Sequence, residues 1–254
     1  NTKKSSDFYT NEDVGITDRL ALKRRLKMLR GQMIHYLHDN SKDIYIADGG
    51  TKSRKKFTAK AREKKPTDIK DGNRLSVISE KPQLLDHFID GLSSGEGSEW
   101  RIDTAPEWTL KEAGFVVRMF HVFDHDGFPH EIQQRDPRQQ WLSSVMTHHL
   151  HHIYRMPIKD SGEKFTRYYN NVPEIVSQSI DNADTARIPA EDISLVKQFK
   201  NDLSVLIEQT KDCSIENKRR YLMQFQQDAH EAFYQNAAKE WQDIYSQAKA
   251  LLPT

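Results

Sequence analysis

One cysteine, Cys213, is all that 254 residues contain. The chain therefore forms no intramolecular disulfide and offers no cysteine set for a zinc site, and a reducing compartment is the natural expectation. No apolar run approaches the roughly 20 residues that cross a bilayer, and the first residues lack the apolar core of a signal peptide. The expected location is intracellular, cytoplasmic or, in a eukaryotic setting, nuclear. Glycine-rich phosphate loops, nucleophile elbows and dinucleotide fingerprints are missing, which argues against nucleotide hydrolysis and Rossmann chemistry, and the HExxH zinc spacing is missing too. No internal repeat is found.

Net charge is also scarce, at +1, but that balance hides a division. Residues 1–75 carry 19 Lys/Arg against 10 Asp/Glu, and residues 76–254 carry 19 against 27. The first third is basic and the remainder acidic.

Apolar spacing places an amphipathic helix over about residues 17–39, entered at Thr17 and Asp18 and striped by Leu22, Leu26, Leu29, Met33, Tyr36 and Leu37. Lys23, Arg24, Lys27 and Arg30 fall on its other side. DIYIA at 43–47 reads as a short strand and Asp48-Gly49-Gly50 as a turn. A basic arm follows: Lys52, Arg54, Lys55, Lys56, Lys60, Arg62, Lys64 and Lys65 stand against the single acid Glu63.

A short helix is expected after Pro82, then strands at 99–103 and 115–123, the second turning through Asp124-His125-Asp126-Gly127 into FPHEI. Asp136 and Pro137 open a helix to about Tyr154. From Pro173 onward nearly everything reads as helix, with long runs at 190–211 and 214–250 forming a helical hairpin. The fold class is α+β, predominantly helical, with a small central antiparallel sheet or hairpin and a C-terminal helical hairpin. Three regions are expected: 1–75, a basic helix and arm; 76–160, a small α/β region rich in histidine; and 161–254, helical.

Clustered cations release counterions from a phosphate backbone, so the first functional expectation is a nucleic-acid-binding protein. Its contacts are assigned to Lys23, Arg24, Lys27, Arg30 and the Lys52 to Lys65 arm. The second expectation is a metal-dependent hydrolase or nuclease. Seven of eleven histidines lie in residues 121–152, with His148 and His152 one helical turn apart and His121 and His125 on the hairpin. These four are the candidate ligands for a divalent ion (zinc, manganese or magnesium), and Asp124, Asp126 and Glu131 the candidate catalytic carboxylates. His149, amid Leu142, Val145 and Ile153, suits a hydrogen-bonded core histidine instead.

Asp124 or Asp126 followed by Glu131-Ile132-Gln133 resembles the carboxylate pattern of metal-dependent nucleases, with Gln133 in the place of their lysine. Arg30 and His35 have the spacing of a pair seen in helical ribonucleases, but lie about 140° apart on a helix. A structural or assembly protein, homo-oligomeric through its acidic helices, is the third expectation.

Overall fold

The computed structural model describes residues 16–40, 43–51, 69–70, 72–94, 101–103, 107–124, 127–156, 162–186 and 188–252. The chain is α+β and mostly helical, and it forms two compact units. The first comprises residues 1–109 and 117–136, the second residues 110–116 and 137–254.

In the first unit, α1 (Ile16–Asn40) precedes β1 (Ile44–Thr51), β2 (Asn73–Ser79), α2 (Pro82–Ser94), β3 (Arg101–Ile102), β4 (Thr109–Leu110), β5 (Val116–Phe123) and β6 (Pro129–Arg135). The sheet order is β1-β2-β6-β5-β3. It is mixed, because β2 pairs in parallel with β6 while the other pairs on this path are antiparallel. Asp48-Gly49-Gly50, expected as a turn, is a bulge inside β1. Gly127, at φ +74°, supplies the positive φ of the β5–β6 hairpin turn.

Strand alternation gives the sheet two different faces. One displays Leu75 and Val77 of β2, Phe120 and Val122 of β5 and Ile132 of β6, all buried. The apolar stripe of α1 (Leu22, Leu26, Leu29, Met33) and that of α2 (Leu85, Phe88, Ile89) is buried in the same unit. Two polar side chains on this face are tied to helix backbone: Asn73 Nδ2 donates to Leu22 O (3.0 Å) and Gln134 Nε2 to Leu85 O (2.7 Å). The opposite face carries Arg74 and Ser76 on β2, Glu131, Gln133 and Arg135 on β6, and Met119 and His121 on β5.

The second unit contains α3 (Pro137–Leu142), a π-helical turn (Ser143–Thr147), α4 (His148–Tyr154), α5 (Gly162–Asp181), α6 (Ala190–Gln209), α7 (Ile215–Gln235) and α8 (Lys239–Ala250). Its core gathers Leu142, Leu150, Tyr169, Val176, Val196, Leu203, Leu222 and Phe233. Pro173 lies inside α5, so that helix begins eleven residues earlier than the proline suggests. The expected single run over 214–250 is divided: α7 ends at the C-cap Asn236 and α8 starts after Ala238.

Residues 110–116 lie against α7 through hydrogen bonds. Gln226 Nε2 donates to Ala113 O (3.0 Å), Gln227 Nε2 to Glu112 O (2.7 Å), and Val116 N to the Tyr234 hydroxyl (3.0 Å). Gly114 is the closest approach. Its φ is +94°, and a Cβ there would stand 2.7 Å from the Gln227 Cα. Gly114→Ala is expected to destabilise the protein by about 2–5 kcal/mol, combining backbone strain with an overpacked contact. A urea titration unchanged from wild type would show that α7 gives way at no cost.

Candidate functional site

The polar face of the sheet is organised around Glu131. The parallel register sets Glu131 beside Arg74, and the antiparallel register sets it beside His121. Arg74 Nε donates to Glu131 Oε1 at 2.6 Å, and Gln133 Nε2, two residues along the strand, donates to the same oxygen at 2.6 Å. Arg135 in turn donates to Gln133 Oε1. A carboxylate whose side chain is only 10% exposed is thus held by one oxygen. Among the described residues nothing is bonded to Oε2.

The Arg74 side chain is 43% exposed. Its Nε is spent on Glu131, and its two terminal nitrogens have no partner among the described residues. Arginine in this state presents a planar pair of donors to an incoming anion.

Beside this row lies a second group on the same face. His121 Nδ1 donates to Asp103 Oδ2 (3.0 Å), and Lys70 Nζ donates to the same oxygen (3.2 Å). Burial pushes the Asp103 carboxyl up, but its hydrogen bonds to Lys70 and His121 and their charges outweigh burial, so its pKa lies below the ordinary 3.8.

Asp124, expected as catalytic, is bonded within the hairpin and to α1. Its Oδ1 accepts from Phe128 N (2.8 Å), and its Oδ2 accepts from Arg25 Nη1 (2.5 Å) and His130 Nε2 (3.4 Å). His130 Nδ1 accepts from Asn73 Nδ2 (3.3 Å), so α1, β2 and β6 are joined on the buried face, one rung from Arg74 and Glu131. Burial raises the Asp124 pKa, but hydrogen bonds from His130, Phe128 and Arg25, with the Arg25 charge, bring it down from 3.8 to about 2.

A carboxylate depressed in this way stabilises the fold above its unfolded pKa, and the contribution is lost as pH falls through the folded value. The shift is worth about 2 kcal/mol, lost between about pH 4 and pH 2. Asp124→Asn should flatten the acid limb of stability in that window, measured by chemical denaturation at stepped pH. An unaltered limb would deny Asp124 this role.

The remaining expected residues are placed as follows. His125, Asp126 and the arm residues Lys52, Arg54, Lys55, Lys56, Lys60, Arg62, Lys64 and Lys65 lie outside the described residues. Lys23, Arg24, Lys27 and Arg30 are exposed on α1. His148 and His152 are exposed on α4 of the second unit, His152 meeting the Tyr168 ring edge-on. His149 is half-buried and donates from Nε2 to Ser179 Oγ (2.9 Å), and burial, with His148 and His152 adding to it, lowers its pKa. Among the described residues, no three His, Cys, Asp or Glu side chains gather in a group able to hold a metal ion. None of the described helices is long and apolar enough to cross a membrane.

No family model and no curated protein matches the chain. Solved structures do resemble it. The small alarmone synthetase 1 of Bacillus subtilis, bound to its product pppGpp, has a TM-score of 0.41 at 14% identity, over 76% of this chain and 96% of that one. A GTP pyrophosphokinase family protein from Streptococcus pneumoniae has 0.36 at 16%, over 76% and 92%. The type VI effector Tas1, solved with its immunity protein, has 0.39 at 14%, over 84% and 94%.

The expected functions are corrected accordingly. The structures this chain resembles are alarmone synthetases and a pyrophosphokinase, not nucleic-acid-binding proteins or nucleases. Lys23, Arg24, Lys27 and Arg30, assigned to that first expectation, are exposed on α1, and the arm lies outside the described residues. For the metal-dependent hydrolase or nuclease, no group of three metal-ligating side chains is found among the described residues, and His125 and Asp126 lie outside them.

Sequence reasoning missed Arg74, because β2 was not recognised as a strand. The alternation in NRLSVIS was the available signal.

Proposed function

We propose that the chain is a transferase that moves a pyrophosphoryl group from a nucleoside triphosphate to a hydroxyl of a second nucleotide. The observation that supports this reading is the pairing of Arg74 with Glu131 on the polar face of the sheet: a held carboxylate with one oxygen to spare, beside a half-exposed guanidinium with two nitrogens to spare.

Phosphoryl-type transfer requires little covalent chemistry from a protein; it requires positioning, charge neutralisation and a group to receive the proton. In the proposed step the acceptor hydroxyl oxygen forms a bond to the β-phosphorus of the donor. The bond from that phosphorus to the oxygen bridging it to the α-phosphorus breaks, and the nucleoside monophosphate leaves with that oxygen. Glu131 Oε2 receives the hydroxyl proton. Arg74 meets the phosphate oxygens on which negative charge gathers. The nucleotides enter as their magnesium complexes, which are substrates.

The likenesses described above set the first substrates to try, ATP as donor and a guanosine nucleotide as acceptor; the reading itself stands on the Glu131 arrangement. Purified chain incubated with labelled ATP, magnesium and GTP or GDP should release AMP in step with a more highly phosphorylated guanosine nucleotide, resolved by ion-exchange chromatography. Release of ADP, or no transfer to any nucleotide acceptor, would remove the proposal.

A further inference from the structure

Resting on the transferase reading, we infer that Asn73 and His130 are positioning residues of the reaction: a buried hydrogen-bond circuit through them and α1 sets the β2–β6 register that places Arg74 against Glu131. The sheet order shows why this junction matters. Arg74 stands on the β1–β2 pair and Glu131 on the β6-β5-β3 group, so the two come together where β2 lies against β6.

One residue earlier on each strand, Asn73 and His130 are register partners facing the opposite side of the sheet. Both are fully buried. Asn73 Nδ2 donates to Leu22 O (3.0 Å) and to His130 Nδ1 (3.3 Å), which spends both amide hydrogens. His130 therefore carries its proton on Nε2 and donates it to Asp124 Oδ2 (3.4 Å). Arg25 Nη1 donates to the same oxygen (2.5 Å), and Arg25 lies about one turn of α1 beyond Leu22. The circuit thus closes through α1, with Leu22 holding the β2 side and Arg25 the hairpin side.

Apolar burial alone does not select this register. A one-residue slip of β6 along β2 is opposed, since it would turn Ile132 to the polar face. A two-residue slip keeps every side chain on its own face and sets Arg74 beside Gln133 instead of Glu131. That slip would part the Asn73 amide from the His130 ring, and a buried polar group that loses its partner is costly. The polar circuit therefore distinguishes two alignments that the apolar core tolerates.

The test uses the full chain with Cys213→Ser and a reporter independent of activity. Register partners on neighbouring strands stand about 5 Å apart, within disulfide reach. On oxidation with copper-phenanthroline, Arg74→Cys with Glu131→Cys should cross-link, and Arg74→Cys with Gln133→Cys should not. Adding His130→Leu should shift the cross-link from the first pair towards the second. His130→Gln, which can accept from Asn73 and donate to Asp124, should restore the first. Asn73→Ser, too short to reach His130, repeats the measurement if His130→Leu does not fold.

With the site intact, His130→Leu should lower kcat for transfer by up to about 100-fold, the scale of a misplacement of about 1 Å, with KM changed less. Combined with Glu131→Gln it should lower kcat no further, because the group that it positions is already gone. A cross-link unmoved in folded His130→Leu and Asn73→Ser, or an equal fall in kcat with and without Glu131→Gln, overturns the inference. Unfolding of both variants does so too, since the circuit then serves stability alone. No transfer by wild type removes the transferase reading, and the cross-link still decides whether Asn73 and His130 set the register.

Discussion

Glu131→Gln is expected to lower nucleotide-to-nucleotide transfer by about 10²- to 10⁴-fold, the usual contribution of a proton-accepting side chain in the transition state. Gln has the shape of Glu, and its carbonyl oxygen can still accept from Arg74 and Gln133, the two donors that hold Oε1. What changes is the atom left over. Oε2 becomes an amide nitrogen that cannot take a proton. The variant should therefore keep its thermal midpoint and bind nucleotide, and lose turnover. A rate within a fewfold of wild type would mean that the proton goes elsewhere. Arg74→Lys gives the complementary result: a point charge replaces the fork, the bond from Nε is lost, and KM rises more than kcat falls.

The second large effect concerns stability. Asp192, in the first turn of α6, is 1% exposed and receives Arg138 in a two-pronged bond, Nε to Oδ2 and Nη2 to Oδ1, each 2.5 Å. Arg138 also donates to Asn236 O at the end of α7 (2.6 Å) and lies over the Phe233 ring. One guanidinium thus joins the start of α6 to the end of α7. Asp192→Ala removes the two-pronged acceptor of that guanidinium, 17% exposed, and should cost about 3–5 kcal/mol in denaturant unfolding. Replacing both Arg138 and Asp192 by apolar residues should cost less than Asp192→Ala alone, because the guanidinium leaves with its carboxylate. If the double replacement is the worse of the two, the pair contributes net stability beyond its own desolvation.

Much of the framework is legible from local pattern. The apolar stripe of α1, the Asp-Gly turn between β5 and β6, the Pro137 helix start and the long run of α6 follow from spacing and turn chemistry. The failures are informative. Strand β2 follows a basic segment and pairs in parallel with β6, whose partners lie 57 positions onward; no local period encodes such a pairing. That pairing is what brings Arg74 to Glu131. Glu131 and His121 are conspicuous as residue types, but carboxylate and imidazole serve metal binding and phosphate chemistry equally. The bond from His121 to Asp103 and the guanidinium at Glu131 are visible only in the structure. The break between α7 and α8 is hidden because Ala237 and Ala238 are good helix formers.

Residues 110–116 belong to the second unit although the chain on both sides of them builds the first. During synthesis this short loop leaves the ribosome more than 100 residues ahead of Gln226, Gln227 and Tyr234, a wait of about 5–25 s at ordinary elongation rates. A fragment starting at Pro137 would lack the loop altogether, and the α7 surface that receives it would meet solvent. Cutting at the apparent boundary should therefore yield two insoluble pieces rather than two domains.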